Sequence, residues 1–175
     1  MEDMVRLIEP LIPALRRYAR GLLRDRAAAD DLVQDCLERA IGRWHQRRAD
    51  GDPRTWIFTI LHNLAMTRLR RSATRPRHVG LDEADAGGLA VSARQEDGLC
   101  YRELLATLAQ LPDEQRTVLL LVTVEELSYG ETAKVLDIPV GTVMSRLSRA
   151  RERLLRMMSD EARPQPGRPY LRSVK

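Results

Sequence analysis

The sequence predicts an all-α protein made of two small helical domains joined by a flexible acidic linker. Three observations predict it. Apolar residues make up 43% of the 175-residue chain but aromatics only 4%, and a core of small aliphatic side chains suits helices better than sandwiches or barrels. Apolar positions recur at helical spacing, and nowhere does a sustained alternation demand a sheet. Charge also changes in blocks: residues 1–75 hold 15 basic and 10 acidic side chains, residues 76–110 hold 3 and 6, and residues 111–175 hold 11 and 9. The middle block contains RPRHVGLDEADAGGLAVSARQEDG, rich in Gly, Pro, Asp and Glu and without periodicity, which reads as a tether. The expected divisions are a first module over 1–74, a linker over 75–96, a second module over 97–160 and a tail over 161–175. RPQPGRPYLRSVK, within that tail, has three prolines and is expected to fray.

In the first module, a helix is expected from Leu11 to Leu23, with Pro10 and Pro13 suited to its first turn. A second runs from about Ala27 to Arg47. It carries Val33, Leu37 and Ala40 on one face and Asp31, Gln34, Asp35 and Glu38 on another. RADGDP breaks the pattern, and a third helix runs from about Pro53 to Arg71. It ends in RLRR, where positive charge suits the helix C-terminus. On it Thr59, His62, Asn63 and Met66 lie away from Ile57, Ile60, Leu61 and Leu64.

The second module should hold helices over about Asp97–Leu111, Pro112–Val124, Tyr129–Leu136 and Gly141–Met158. Ser128 and Glu131 have the spacing of a capping box. LDIP then separates two helices as the turn of a helix-turn-helix, with Asp137 where a near left-handed backbone is needed. Ala133 is small enough to let the partner helix approach. Val143, Leu147, Ala150 and Leu154 make the buried stripe of the last helix, while Ser145, Ser148, Arg149, Glu152 and Arg156 point away. GTVMSRLSRARERLL contains four arginines and only one acid, which suits a helix lying in a DNA major groove. Ser145, Ser148 and Arg149 are placed to reach base edges. Arg146, Arg151 and Arg153 are placed to touch phosphates. A solvated helix with basic side chains is the competing account of the same residues, weakened by the capped helix and turn before it.

The net charge of +4 and pI near 9.5 favour a polyanionic partner. Cys36 and Cys100 are far apart and have no metal-ligand spacing, as expected of thiols in a reducing compartment. The start has the composition of neither a signal peptide nor a membrane span, so a cytoplasmic protein without membrane insertion of its own is expected. No nucleotide, metalloprotease or hydrolase motif is present. His45, His62 and His78 are scattered. The expectation is therefore a non-enzyme without cofactor or metal.

LPDEQRTVLLLVTVEELSYGETAKVLDIPVGTVMSRLSRARERL resembles region 4 of bacterial RNA polymerase sigma factors. ADDLVQDCLERAIGRW and WIFTILHNLAMTRLRR are similar to parts of region 2. The two lie in the expected order with no third domain between them. The resemblance, over about residues 5–158, is thus to the small extracytoplasmic-function (ECF) type. It implies a factor that binds core RNA polymerase through the β′ clamp helices and the β subunit, reads the −35 and −10 elements of promoter DNA, and is held in check by an anti-sigma factor in stress-response transcription. Asp31, Gln34, Asp35 and Glu38 then become the expected polymerase-binding face. The third helix becomes the −10 reader through Thr59, His62, Asn63 and Met66. Trp44 lies where relatives receive a flipped-out base, and Arg47 and Arg48 lie where phosphates pass. Region 4 would read −35 through Ser145, Arg146, Ser148, Arg149, Arg151 and Arg153. The chain departs from the common pattern at Thr59 and Met144, where many relatives have a basic residue, and at Asp137, where glycine is common. A stand-alone helix-turn-helix repressor or activator is the alternative; it leaves the first-module motifs as packing alone.

Overall fold

The computed structural model describes residues 2–23, 25–48, 51–74 and 104–161. The expected linker and the residues after Glu161 lie outside the described residues. Among those described there is no strand, and the all-α expectation stands. The elements are α1 (Glu2–Ile8), α2 (Ile12–Leu22), α3 (Arg26–Gly42), α4 (Pro53–Thr74), α5 (104–108), α6 (Asp113–Leu119), α7 (Tyr129–Leu136) and α8 (Val140–Glu161).

The N-terminal half packs α2 on α3 and α3 on α4. Tyr18, Leu15, Leu32, Ile57, Phe58 and Leu61 are all fully buried there. Asp25 caps α3, accepting hydrogen bonds from the Ala27 and Ala28 amides at 2.8 and 3.2 Å. Asp52 caps α4 in the same way, accepting from the Thr55 amide at 2.8 Å and its hydroxyl at 2.7 Å. Burial opposes the Asp52 charge, but the hydrogen bonds from Thr55 and the Arg54 amide outweigh it and hold its pKa below the usual range.

Two boundaries differ from those the sequence suggests. α1 forms ahead of Pro10, and its Met4 and Ile8 are buried in the core. α3 stops at Gly42, five residues short of Arg47, and Trp44–Gln46 tighten into a 3-10 turn. Trp44 there packs edge-on against Trp56, ring centroids 5.9 Å apart. That aromatic contact, between the end of α3 and the first turn of α4, redirects the chain earlier than the charge pattern indicates.

In the C-terminal half, α6 and α7 both pack on α8. Val143, Leu147 and Ala150 are buried and Leu154 half-buried, as the stripe predicts. The Ser128–Glu131 capping box is complete, with the Ser128 amide donating to Glu131 Oε2 at 2.7 Å and the Glu131 amide donating to Ser128 Oγ at 3.2 Å. Asp137 ends α7 in the left-handed region, φ 53° and ψ 50°. Between α6 and α7 the chain does something the sequence does not reveal. Leu120–Val124 form a π-turn, closed by the Glu125 amide donating to the Leu120 carbonyl at 3.0 Å, and Glu126 follows at φ 53°.

The two halves are not held apart. α4 packs along α7, α2 meets α6 and the π-turn, and the buried residues of both halves form one continuous cluster.

Candidate nucleic-acid and polymerase interface

On α3, Asp31, Gln34 and Glu38 are exposed, and Gln34 Nε2 donates to Glu38 Oε1 at 3.2 Å. Asp35 is different. Its carboxylate accepts from Arg68 Nη2 at 2.7 Å, and Arg68 Nη1 donates to the Ala28 carbonyl at 2.9 Å. Asp35 therefore ties α3 to α4, a structural duty that no local pattern signals. The open part of the acidic face is Asp31, Gln34 and Glu38.

The candidate −10 surface is built from α4 and the turn before it. Asn63 is exposed; Thr59 is half-buried, its hydroxyl donating to the Thr55 carbonyl at 2.9 Å. Met66 is half-buried and packs against the core, and His62 is hydrogen-bonded through Nδ1 to the Tyr18 hydroxyl at 3.1 Å. The four residues expected on one side thus divide, with Asn63 outward and His62 and Met66 partly turned in. The Arg47 guanidinium lies 4.9 Å from the Trp44 ring centroid and donates to the Gly51 carbonyl at 2.7 Å. Trp44 is consequently a half-buried platform gripped from two sides, while Arg48 is exposed beside it.

Burial, and secondarily the Arg70 charge, lower the His62 pKa from 6.5 to about 4. A protonated His62 is favoured in the unfolded chain and resisted in the folded one. Its contribution is therefore complete above pH 6.5 and is lost as the pH falls towards about 4. Urea unfolding of His62→Gln is expected to show a shallower loss of stability across that window than the parent chain. Parallel pH profiles would show that the imidazole does not titrate differently on folding.

On α8, Ser145, Ser148, Arg149, Arg151 and Arg153 are all exposed. Ser145 Oγ donates to the Thr142 carbonyl at 3.1 Å. Arg146 is engaged, its Nη2 lying 2.8 Å from Glu114 Oε2 at the start of α6. Arg156 pairs with Glu152 at 3.3 Å. The outer face of α8 thus presents three arginines that form no ion pair among the described residues, above a buried stripe that fixes their direction. No cluster of metal-ligating side chains occurs among the described residues. No described helix is long and apolar enough to cross a membrane.

Two functional-looking groups escaped the sequence reading. Arg17 and Glu125 form a pair across the two halves, Nη2 to Oε2 at 2.9 Å, with the Glu125 side chain wholly buried. Tyr18 holds His62. The only available hint was Glu125 itself, a carboxylate at the end of the apolar run LLLVTV.

A four-helix module with an acidic face and a tryptophan-backed loop, followed by a capped helix-turn-helix whose outer arginines form no ion pair among the described residues, defines a two-part DNA-binding protein. Comparison with known proteins makes this specific. Residues 8–62 match the family model described as the Sigma2 domain of PhyR, and residues 101–154 match Sigma-70, region 4. The chain is 36% identical over 147 residues to the ECF RNA polymerase sigma factor EcfG of Rhodopseudomonas palustris, covering 82% of this chain and 78% of that one. It is 35% identical over 141 residues to the ECF RNA polymerase sigma factor SigC of Mycobacterium tuberculosis, covering 76% and 71%. Among solved structures, the sigma factor RpoE of Bartonella quintana, in complex with the anti-sigma factor NepR, superposes with a TM-score of 0.72 at 26% identity, covering 91% of this chain and 98% of that one. The chain belongs to the ECF RNA polymerase sigma factors.

Proposed function

We propose that this chain binds core RNA polymerase, recognises the −35 and −10 elements of promoters and directs transcription initiation, under the control of an anti-sigma factor. The observation that carries the reading is the joint presence, in the order of the family, of a region 2 module and a region 4 helix-turn-helix. The polymerase supplies the chemistry; this chain supplies position. Its place of action is then the cytoplasm, where polymerase and promoter DNA meet.

The roles divide by surface. Asp31, Gln34 and Glu38 on α3 offer acidic and amide groups to the β′ clamp helices, with Asp35 holding the face rigid through Arg68. Asn63, with Thr59 beside it, offers polar groups to an unpaired base of the −10 strand. The Trp44 platform, braced by Trp56 and Arg47, suits capture of an extruded base. Arg48 and Arg47 line the phosphate side. On α8, Ser145, Ser148 and Arg149 face base edges, and Arg151 and Arg153 face phosphates. Arg146 could join them only by leaving Glu114.

The anti-sigma partner is supported by the RpoE complex with NepR, whose sigma chain has this fold. Its attachment surface on this chain is expected to overlap the polymerase-binding face.

The test is run-off transcription with bacterial core polymerase and a promoter library, with and without this chain. Initiation at defined promoters that depends on the added protein is the expected result. Binding to DNA without binding to core polymerase would favour the stand-alone regulator instead. Asp31→Arg with Glu38→Arg is expected to weaken core binding at least tenfold while circular dichroism stays unchanged, since both side chains are exposed and neither ties two helices together. Undiminished affinity would remove that face from the interface.

A further inference from the structure

The first turns of α8 present two adjacent rows of side chains. Residues four apart on a helix stand one above the other, so Val140, Met144 and Ser148 make one row and Gly141, Ser145 and Arg149 the next. All six are exposed. Val143 and Leu147, buried in the core, fix the direction in which both rows point. The second row is polar and carries Arg149, while Arg146, on the far flank, is held by Glu114. The first row begins instead with two apolar side chains, Val140 at 44% and Met144 at 53% exposed.

A single exposed apolar residue needs no special explanation on a protein surface. Two in one row, on the helix end that a helix-turn-helix presents to base edges, do. A methionine there can neither donate a hydrogen bond to a base edge nor pair with a phosphate. What it can meet favourably is the one apolar group of the major groove, the C5-methyl of thymine. Its unbranched, polarisable side chain adapts readily to such a contact. Leu155 and Met158 are also exposed, but they lie beyond Arg151 at the C-terminal end of α8, away from the end that enters the groove.

We propose that Met144, supported by Val140 one turn before it, is a specificity-determining residue that reads the C5-methyl group of a thymine in the −35 element. The inference rests on the reading that α8 binds the −35 duplex, and it adds the base that this row selects. Met144 and Arg149 stand about 7.5 Å apart along the helix at 1.5 Å per residue. At 3.4 Å per base pair that is roughly two steps, so the thymine lies about two base pairs from the base that Arg149 reads.

The test uses the full chain assembled with bacterial core polymerase, on a promoter selected from the run-off library. Each thymine of its −35 element, on either strand, is replaced in turn by deoxyuridine, which keeps the Watson–Crick pairing and lacks only the methyl. Promoter occupancy gives the half-saturating concentration. The parent is expected to lose about three- to fivefold at one thymine, the worth of one buried methyl-sized group, and little at the others. Met144→Ala, at an exposed side chain, is expected to bind the thymine promoter about as weakly as the parent binds the uracil one, and to lose little further on uracil. Met144→Arg is also expected to lose the methyl preference, and to steepen the salt dependence by about one unit.

Parent binding that is indifferent to uracil at every position would overturn the assignment. So would an equal uracil loss in the parent and in Met144→Ala, because another side chain would then read the methyl. A parent chain that forms no complex with core polymerase would remove the promoter reading itself, and the assignment with it.

Discussion

Phe58→Ala is expected to lower the unfolding free energy by about 3–5 kcal/mol, the range for emptying a large aromatic site in a packed core. Phe58 is fully buried, and its ring meets Tyr18 edge-to-face, centroids 5.6 Å apart at 71°. It is also the ring over which the Arg54 guanidinium sits, at 6.0 Å. Removing it therefore loosens α4 from α2 and unseats a group that reaches the other half. Urea denaturation followed by tryptophan fluorescence would measure this, because both tryptophans, Trp44 and Trp56, lie in the first module. The midpoint should fall with little change in slope. Ile41→Ala, at a side chain 53% exposed, is the control and should stay within about 0.5 kcal/mol of the parent. A Phe58→Ala loss no larger than the control's would show that the core closes around the vacancy.

Arg149→Ala is expected to reduce binding to a matched −35 duplex by about 1–3 kcal/mol while affecting mismatched duplexes much less. Val143, Leu147 and Ala150 are pinned in the core, so the exposed Ser145, Ser148 and Arg149 must face outward. Among the described residues Arg149 is tied to no carboxylate, whereas Arg146 is bound to Glu114. Arg151→Ala should weaken all sequences alike and flatten the salt dependence, as expected for a phosphate contact. Competition binding across a library of −35 variants at two salt concentrations separates the cases. Uniform loss for Arg149→Ala would make it a phosphate contact as well.

Much of this was legible in the sequence where local chemistry decides. The capping box at Ser128, the left-handed Asp137 and the stripe on α8 are set by residues within a few positions of one another, and each formed as expected. The aromatic cross-brace of Trp44 and Trp56 was not legible, and neither were the roles of Asp35 and His62. Arg68 reaches Asp35 from 33 positions away and Tyr18 reaches His62 from 44, so no local pattern signals either. An acidic helix face looks the same on paper whether its carboxylates meet solvent or a buried arginine. The packing of one half on the other has the same character. Gly21, Leu120, Arg17 and Glu125 mean little until they are seen side by side.

The π-turn at Leu120–Val124 carries one residue more than an α-turn would, and so behaves as a one-residue insertion into α6. Each residue of an α-helix turns the chain by roughly 100°. Without the extra residue, the position of Glu125 would rotate off the Arg17 side, and the exposed Glu126 would move towards it. Which of two adjacent glutamates faces inward is thus decided by length rather than by composition. A relative lacking that residue would carry the same Glu-Glu pair with the inward and outward roles exchanged. Its alignment to this chain would need a single gap within the apolar run to keep the helix-turn-helix in phase.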